Sequence, residues 1–468
     1  MASRSIFRSF LAGIYSQVAL SVTQILLVPV FLHYWGETGY GHWLVVLTIV
    51  SHISLSDFGL TSTASNLVTM HAAAGEYAAA RRVVQSLWVY QIVIGAVVML
   101  LGGLCVAFAP LHALLGIPRE ASAAGFATLV GLLFYALLSL QCGVYLGPFR
   151  ALGCNARFVT LTGTFRLLEG ICTAVALAIG FQAGGIAWVL VAVKAGQLLW
   201  SQYDIFKIAP NLMPGFREAR WQVFRGMLAS GAGFMAMPIG NLLSNQVSIV
   251  VINHLLGPFA VVTISVLRQV ARFLPQAAGL VTNAFWPDLS RLHAERNIEA
   301  LRKYDAFLFQ SGLVIAVFGV AGFLGLGPLF ISYYTTKKVA IDYALAVPIA
   351  ISAGGACIWG VLTCLPAAIN KHMIIACSFL VLTGASLLLY YPVTHSTGLV
   401  GIAWLIASID ILMIPVAVAQ NLIQINLSLN EAARNSLHMI LHPAAIVTEY
   451  FQLATSVVVA KREPRNRS

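Results

Sequence analysis

The chain has 468 residues, of which 59% are hydrophobic and only 9% are charged. A soluble globular protein carries about 25% charged residues, so this composition excludes a water-facing surface over most of the molecule and predicts a membrane protein. The formal net charge of +11 would indicate nucleic acid in a soluble protein, but cytoplasmic loops supply such an excess in a membrane protein, and we expect no nucleic-acid partner.

Twelve apolar segments follow one another along the chain, separated by charges or by clusters of Pro and Gly. A helix needs roughly 20 residues to cross a bilayer, and several segments are longer, which predicts tilt or kinks. The segments are 9–34, 39–69, 85–110, 122–149, 157–180, 184–206, 225–256, 258–287, 304–334, 341–369, 373–393 and 397–420. The pattern predicts an all-α membrane protein of about 12 transmembrane helices, divided into an N-terminal six-helix bundle (1–206), a cytoplasmic linker (207–224), a C-terminal six-helix bundle (225–420) and a tail (421–468).

The basic residues predict the orientation. With a cytoplasmic N-terminus, 20 of the 27 Lys and Arg residues fall on the cytoplasmic side, and only Arg119, Lys337 and Lys338 fall outside. We therefore expect a multi-pass protein of the bacterial inner membrane with both termini in the cytoplasm. Segment 436–460 is apolar enough for a thirteenth span, but His, Pro and Glu interrupt it and crossing would export the basic terminus, so we predict an interfacial amphipathic helix.

The sequence carries no signature of catalysis. It has no Gly-x-x-x-x-Gly-Lys-Ser/Thr phosphate loop, nucleophile elbow or His-Glu-x-x-His helix, and no predicted outside loop is long enough to form a domain. The seven cysteines lie in or beside apolar stretches without Cys-x-x-Cys pairs, and no histidines cluster at metal-ligand spacing. We predict a protein that is not an enzyme and that has no cofactor and no metal site.

The two halves of the chain resemble each other, which predicts an internal duplication. The pair Phe7-Arg8 opens the first span and Phe224-Arg225 opens the seventh, and each pair is followed by Leu-Ala at the same spacing. Gly36 separates spans one and two, as Gly257 separates spans seven and eight. Because each half has an even number of spans, the halves are parallel repeats. Transporters with such repeats bind substrate near the midplane and alternate access by rocking.

The motifs of the first two spans resemble those of the Wzx-type polysaccharide flippases, which belong to the multidrug/oligosaccharidyl-lipid/polysaccharide exporter superfamily. The motifs are Val28-Pro29-Val30, Gly36, Gly39-Tyr40-Gly41-His42-Trp43, Ser56-Asp57-Phe58-Gly59-Leu60, Ala73-Ala74-Gly75-Glu76 and Ala80-Arg81-Arg82. The resemblance implies two six-helix bundles around a central cavity and the translocation of undecaprenyl-pyrophosphate-linked repeat units for surface polysaccharide such as the O-antigen of lipopolysaccharide. Its implied partners are the lipid-linked oligosaccharide, membrane lipid and the polysaccharide polymerase machinery.

Seven ionisable residues lie within predicted spans: Asp57, Arg166, Glu169, Lys194, Arg268, Arg272 and Asp410. Each costs about 2.5–3.5 kcal/mol at the bilayer centre even on the translocon-insertion scale. Seven such costs approach ~20 kcal/mol, more than the ~5–15 kcal/mol stability of a typical domain. These residues must therefore face one another or water.

Arg268 and Arg272 are spaced four apart and lie on one helical face, where like charges repel. One hypothesis is that they line a water-filled cavity and bind the substrate pyrophosphate, because guanidinium groups bind phosphate oxygens in pairs. The other, compatible hypothesis is that Asp57, in the repeat-equivalent second span, pairs with one of them and acts as a gate.

The remaining charges leave alternatives open. Arg166 and Glu169 are three apart and can pair with each other. Lys194 either lines the cavity or extends its ammonium to the cytoplasmic surface. Asp410 either couples transport to a proton or cation or pairs with Lys194 or Arg166. We assign Arg166 and Lys194 to the cavity, and Glu169 and Asp410, like Asp57, to gating or coupling.

Polar residues in spans one and seven are candidate ligands for sugar hydroxyls, or else polar contacts that hold helices together. They are Tyr15, Gln17, Gln24, Asn241, Asn245 and Gln246.

The predicted function is a flippase that moves lipid-linked oligosaccharide from the cytoplasmic to the periplasmic leaflet by alternating access. The alternative is a multidrug or cation antiporter of the same superfamily. Such antiporters favour acidic sites, whereas this chain has four cations and three acids within its spans. A peptidoglycan lipid flippase would have fourteen spans, and a polysaccharide polymerase or ligase would have a large outside loop.

Overall fold

The structure is a computed structural model that describes residues 2–51, 57–108, 122–334 and 342–427. All regular elements in these ranges are helical. The α-helices, in chain order, are α1 Ala2–Ser51, α2 Leu60–Ala73, α3 Tyr77–Phe108, α4 Ser122–Val144, α5 Leu146–Ala151, α6 Asn155–Ala178, α7 Ala183–Ile208, α8 Trp221–Leu242, α9 Ser248–Leu256, α10 Pro258–Ala271, α11 Phe273–Ala294, α12 Ile298–Tyr334, α13 Tyr343–Leu362, α14 Cys364–Ala368 and α15 Met373–Ile425. The predicted tail beyond residue 427, including segment 436–460, lies outside the described residues, as do Arg119, Lys337 and Lys338.

Glycines with left-handed backbone divide two long helical runs into separate spans. Gly36 (φ 67°, ψ −178°) interrupts α1, and Gly398 (φ 62°, ψ −143°) interrupts α15. Gly257 (φ 80°, ψ 177°) separates α9 from α10 with almost the same backbone angles as Gly36. Only glycine adopts this region without strain, which explains why glycine occupies both of the paired positions, Gly36 and Gly257.

Once these breaks are counted, the helices match the twelve predicted spans. Within the described residues, nine helices are long and apolar enough to cross a membrane, and one of them, Met373–Ile425, is the run of 53 residues that Gly398 divides in two. The other two spans are broken. In the second span, Phe58 and Gly59 have positive φ immediately before α2 begins at Leu60, whereas the sequence predicts one continuous helical segment. The eighth span is interrupted at Arg272, between α10 and α11, and α11 then continues to Ala294.

Equivalent loops in the two halves close in the same way. After α2, the Glu76 N–H donates to the His71 carbonyl (2.8 Å), and after α11 the Asn297 N–H donates to the Leu292 carbonyl (3.0 Å). Each of these helix-ending turns contains one left-handed residue, Gly75 in the first half and Arg296 in the second.

Arginines at equivalent positions of the two halves bind the chain segment at the end of each six-helix repeat. Arg81 pairs with Glu218 of the linker, and Arg302 donates to the carbonyls of Ile425 (3.0 Å) and Asn426 (2.7 Å) at the end of α15. The internal duplication predicted from the sequence therefore extends to local backbone conformation and to capping contacts.

The chain forms two compact units. The first unit is Phe7–Gly231, and the second begins at Ala232 and includes the first residues up to Ile6. The division falls inside α8, a few residues after the predicted linker 207–224. The linker packs on α3 of the first unit, where the Glu218 N–H donates to Gln85 Oε1 (2.7 Å) and the Arg220 N–H donates to Ser86 Oγ (3.0 Å).

Apolar residues fill the core of each unit. In the first unit, Leu132, Ile186 and Leu177 are almost fully buried beside aromatic residues of α1. In the second unit, a cluster around Ile264, Leu267, Ile349 and Ile402 joins residues of α9, α10, α12, α13 and α15. Close packing of side chains holds membrane helices together, because there is no hydrophobic driving force between helices in lipid.

Candidate functional site

A cavity of about 600 Å³ lies among the helices of the second unit. Its walls combine two basic groups, one acid, polar amides and hydroxyls, and several aromatic rings. The lining includes Arg268, Arg272, Asp410, Asn241, Asn245, Ser244, Ser352, Phe234, Trp286, Trp359 and His372. Five of the sequence-predicted site residues are therefore brought together here: Arg268, Arg272, Asp410, Asn241 and Asn245.

The two arginines share one acceptor. Arg268 donates from Nη2 to Asn245 Oδ1 (3.0 Å), and Arg272 donates from Nη2 to the same oxygen (2.8 Å). Arg268 also donates to Ser248 Oγ (3.1 Å) and to the carbonyl of Ser244 (2.8 Å). All these acceptors are uncharged, and within the described part of the chain no carboxylate lies at ion-pair distance from either guanidinium.

A π-helical turn, Leu243–Val247, contains two of the three residues that supply these acceptors. A π turn widens the helix locally, and such turns occur frequently at functional sites. Here the turn contains Ser244 and Asn245, the two residues that receive most of the hydrogen bonds from Arg268. The distortion of this helix therefore coincides with the polar support of the arginine pair.

Asp410 lies in the same cavity and is held by neutral donors. Ser352 Oγ donates to one carboxylate oxygen (2.5 Å), and the indole N–H of Trp359 donates to the other (2.9 Å). The hydrogen-bond partners of Asp410 are thus in its own unit, and they are not Lys194 or Arg166, the partners that the sequence suggests. The carboxylate contributes one negative charge to a cavity that has two positive ones.

Aromatic side chains form another part of the wall. The Phe234 ring stands 3.9 Å from the His372 ring and 6.2 Å from the Trp286 ring, centroid to centroid. Burial lowers the pKa of His372 to about 4, so this imidazole is neutral at pH 7. With His372 neutral, the formal charges of the side chains that line the cavity, Arg268, Arg272 and Asp410, sum to one positive unit.

Two buried charges of the first unit, Lys194 and Glu169, neutralise each other. Lys194 Nζ lies 2.7 Å from Glu169 Oε1 and donates to Gln197 Oε1 (3.0 Å). Tyr135 donates its hydroxyl to the other oxygen of Glu169 (3.2 Å), and the Lys194 ammonium lies 5.2 Å from the centre of the Tyr135 ring. The partner of Glu169 in the structure is therefore Lys194, rather than Arg166, which is half-buried on the same helix as Glu169.

Asp57 has local partners as well. Its carboxylate accepts from the backbone N–H of Thr61 (3.2 Å), from the Thr61 hydroxyl (2.6 Å) and from the Gln91 amide (3.2 Å). The Thr61 N–H belongs to the first turn of α2, where a carboxylate satisfies a free donor and opposes the positive end of the helix dipole. Through these contacts Asp57 stabilises the start of α2.

The predicted polar ligands separate into three groups. Asn241 and Asn245 line the cavity of the second unit. Tyr15 lines a groove of the first unit and hydrogen-bonds Thr164 Oγ1 (3.0 Å). Gln17, Gln24 and Gln246 line neither of these two pockets; Gln24 and Gln246 are exposed and Gln17 is half-buried.

Sequence reasoning missed the aromatic residues of the cavity and the partners of Asp410. Trp359, Trp286 and Phe234 lie in apolar runs, where an aromatic residue carries no mark that distinguishes a cavity wall from a packed core. His372 follows Asn370-Lys371 in a polar connection between two spans. A polar residue at the end of a span was the one feature of the sequence that could have indicated a cavity position here. Among the described residues, no group of three or more His, Cys, Asp or Glu is arranged to hold a metal ion.

Comparison with solved structures shows which known fold the chain has. No family model and no curated protein sequence matches the chain. Solved structures do match, among them a mutant of the Vibrio cholerae MATE transporter VcmN (TM-score 0.72, 15% identity, covering 91% of this chain and 97% of that one). An outward-facing multidrug resistance MATE family transporter of the MOP superfamily also matches (TM-score 0.71, 14% identity, 91% and 96% covered). A third match, with the same values, is a Pyrococcus furiosus MOP superfamily transporter whose reversed pocket polarity is described as suggesting a different function.

The chain therefore has the fold of the MATE transporters of the MOP superfamily, which is an all-helical membrane fold of two six-helix repeats. It is a multi-pass membrane protein, and its structural neighbours are transporters rather than enzymes. At identities of 14–15%, the likeness shows the fold alone.

Proposed function

We propose that this protein is a flippase for a lipid-linked oligosaccharide of the undecaprenyl-pyrophosphate class, which it moves from the cytoplasmic to the periplasmic leaflet of the bacterial inner membrane. One observation carries the proposal. Arg268 and Arg272 line a cavity within a membrane protein, and their hydrogen-bond acceptors are neutral. Two cations that pair with no carboxylate among the described residues need water and a negatively charged ligand.

The geometry favours a diphosphate over a single carboxylate. Arg272 is exposed and uses one of its five N–H donors on Asn245. Arg268 is held by Ser244, Ser248 and Asn245 and presents its charge from a fixed position. A pyrophosphate offers two adjacent anionic groups, and a guanidinium binds phosphate oxygens through paired hydrogen bonds. Two arginines one helical turn apart match two linked phosphates.

The aromatic wall supports a sugar cargo. Phe234, Trp286 and Trp359 line the same cavity as the arginines and present apolar ring faces. Sugars have apolar faces that pack on aromatic rings and hydroxyls that hydrogen-bond amides, and Asn241 offers such an amide. In this proposal the pyrophosphate binds the arginines, the sugar contacts the aromatic wall, the polyprenyl chain stays in lipid, and the repeats rock to alternate access.

Reconstitution tests the proposal directly. Proteoliposomes are prepared with polyprenyl-pyrophosphate-linked oligosaccharide in both leaflets, and a membrane-impermeant glycosidase is added outside. The wild type should expose nearly all of the substrate to the glycosidase, whereas Arg272→Gln should leave the inner-leaflet fraction protected. Arg272→Lys, which keeps the charge but loses the paired donors, should give an intermediate rate.

Lys303→Gln is the matched control, because this half-buried cation is paired with Glu299 outside the cavity and its loss should leave flipping unchanged. Full substrate exposure by Arg272→Gln at wild-type rate would remove the basis of the proposal. In cells, the same variant should abolish surface polysaccharide while the protein still inserts.

A cation antiporter of the multidrug type is the second candidate. It is favoured by the structural neighbours described as multidrug MATE transporters and by Asp410, a carboxylate inside the cavity. In this alternative Asp410 binds the cation and the arginines are counter-charges. Ethidium efflux driven by a proton or sodium gradient, abolished by Asp410→Asn and retained by Arg272→Gln, would establish this candidate over the flippase.

A further inference from the structure

A separate groove lies in the first unit, between the N-terminal parts of α1 and α6 and the C-terminal part of α7. Its volume is about 820 Å³. Arg8 and Tyr15 belong to α1, Arg157 to α6, and Trp200 and Asp204 to α7. The flippase proposal does not use this groove.

Helices α1 and α6 run parallel along the groove. Tyr15 hydrogen-bonds Thr164 (3.0 Å), and further along a Cβ on Gly170 would lie 2.6 Å from Thr23 Cγ2, so the two helices stay in contact as both advance. Both arginines are near the N-terminal ends of their helices, and the groove reaches Leu168 on α6. At 1.5 Å per residue, the distance from Arg157 to Leu168 is about 16 Å, close to the ~15 Å depth of one leaflet of hydrocarbon.

The charged end of the groove attracts an anion. Arg157 pairs with Asp204, but its side chain is 55% exposed. Arg8 is exposed, and no hydrogen bond or ion pair joins it to another described residue. Two guanidiniums against one carboxylate leave one net positive charge, and the N-terminus of α6, without a side-chain cap, adds the positive end of a helix dipole.

The remainder of the groove is apolar. Leu11, Leu161, Phe165 and Leu168 line it together with the exposed Trp200. A free inorganic anion would use the arginines and leave this surface uncovered, whereas a neutral lipid would cover the surface and leave Arg8 without a counter-charge. A molecule with an anionic head and an acyl chain satisfies both ends.

We infer that this groove is a binding site for an anionic phospholipid. The phosphate lies between Arg8 and Arg157, and one acyl chain lies along α6 against Leu161, Phe165, Leu168 and Trp200. The basic end belongs to the side of the membrane that the positive-inside pattern predicts to be cytoplasmic, where anionic lipids attract basic residues.

Quenching of Trp200 fluorescence tests the inference, because this side chain lines the groove and is 55% exposed. The purified full chain is reconstituted in phosphatidylcholine vesicles, into which brominated phosphatidylglycerol or brominated phosphatidylcholine is titrated. The Trp200 signal is the difference between wild type and Trp200→Phe. We expect half-quenching at about fivefold less brominated phosphatidylglycerol than brominated phosphatidylcholine.

The variants assign the preference to the groove. Arg8→Gln should abolish it, while the matched control Arg82→Gln, which removes an exposed cation of α3 outside the groove, should keep it. Asp204→Asn frees Arg157 and should strengthen it, which provides a second test if Arg8→Gln folds poorly. Equal quenching by the two lipids in the wild type, an unchanged preference in Arg8→Gln, a weaker one in Asp204→Asn, or reversal of quenching by millimolar inorganic phosphate would each overturn the inference.

Discussion

Asn245→Asp changes the charge of the cavity while it hardly changes its shape. The Asn245 side chain accepts hydrogen bonds from Arg268 (3.0 Å) and Arg272 (2.8 Å) through a single oxygen. A carboxylate at this position keeps both contacts and turns them into ion pairs. The charge balance of the cavity falls from one net positive unit to zero, and we expect anion binding to fall with it.

The size of the effect follows from Coulomb's law. An anion bound on the far side of the guanidiniums would lie roughly 7 Å from the new carboxylate, two hydrogen-bond lengths and the width of a guanidinium away. At an effective dielectric constant near 20, the repulsion is about 2.4 kcal/mol for each negative charge on the ligand. A singly charged ligand should therefore bind about 50-fold more weakly, and a pyrophosphate more weakly still.

Stability should move in the opposite direction, because the new ion pairs form within the unliganded protein. We expect the melting temperature of Asn245→Asp to equal or exceed that of the wild type, while calorimetric titration with a short-chain prenyl pyrophosphate shows the loss of affinity. Separation of these two readouts distinguishes a changed site from a damaged fold.

Asn241→Asp is the matched control. Asn241 and Asn245 each donate their amide to the carbonyl four residues earlier, so both substitutions lose the same hydrogen bond. Asn241, however, has no hydrogen bond to either arginine in the structure, and Asn241→Asp should weaken binding less. Wild-type affinity in Asn245→Asp, or an equal loss in both variants, would refute the reasoning that the arginine pair binds the anion.

Three further predictions concern stability. Lys194→Met should destabilise the protein by about 3–5 kcal/mol because it leaves Glu169 buried without its cation, and adding Glu169→Gln should restore most of the loss in thermal unfolding; a double variant no more stable than the single one would argue against the pair. Gly36→Ala should lower the free energy of unfolding by about 1–3 kcal/mol through backbone strain alone, because φ is 67° and no atom lies within 4 Å of the new Cβ. The control Gly41→Ala, which is equally uncrowded but helical, should not lower it. Equal melting temperatures for the two variants would contradict this prediction. The pKa of His372 is lowered from 6.5 to about 4, so the unfolded chain binds the proton first and stability should fall as pH drops from 6.5 towards 4; in His372→Phe this pH dependence should become smaller, and an unchanged profile would exclude His372 as its source.

The contrast between the two units is relevant to the proposed transport cycle. In the first unit the buried Lys194 is neutralised by Glu169, so its charge holds helices together and is not available to a ligand. In the second unit the arginines are supported by amides, hydroxyls and a carbonyl, so their charge is not cancelled where they line the cavity. The second unit is therefore where we expect mutations to affect substrate affinity.

Local sequence determined the spans, the breaks between them and the duplication. Hydropathy alone separates the twelve segments, because a helix in lipid must satisfy its backbone internally and cover itself with apolar side chains. Gly36 and Gly257 predict equivalent turns, since the backbone angles there are open only to glycine. The common face of Arg268 and Arg272 follows from their spacing of four in a helix, and the shared acceptor Asn245 agrees with it.

Tertiary structure decided which charges are cancelled. The spacing of three made Arg166 the expected partner of Glu169, but the structure pairs Glu169 with Lys194 from the neighbouring helix α7. Asp410 likewise finds its donors on α13, in Ser352 and Trp359, which no local pattern on α15 indicates. Spacing along a chain reports neighbours on one helix, whereas pairing across helices depends on their packing and rotation, and the aromatic wall of the cavity depends on that packing as well.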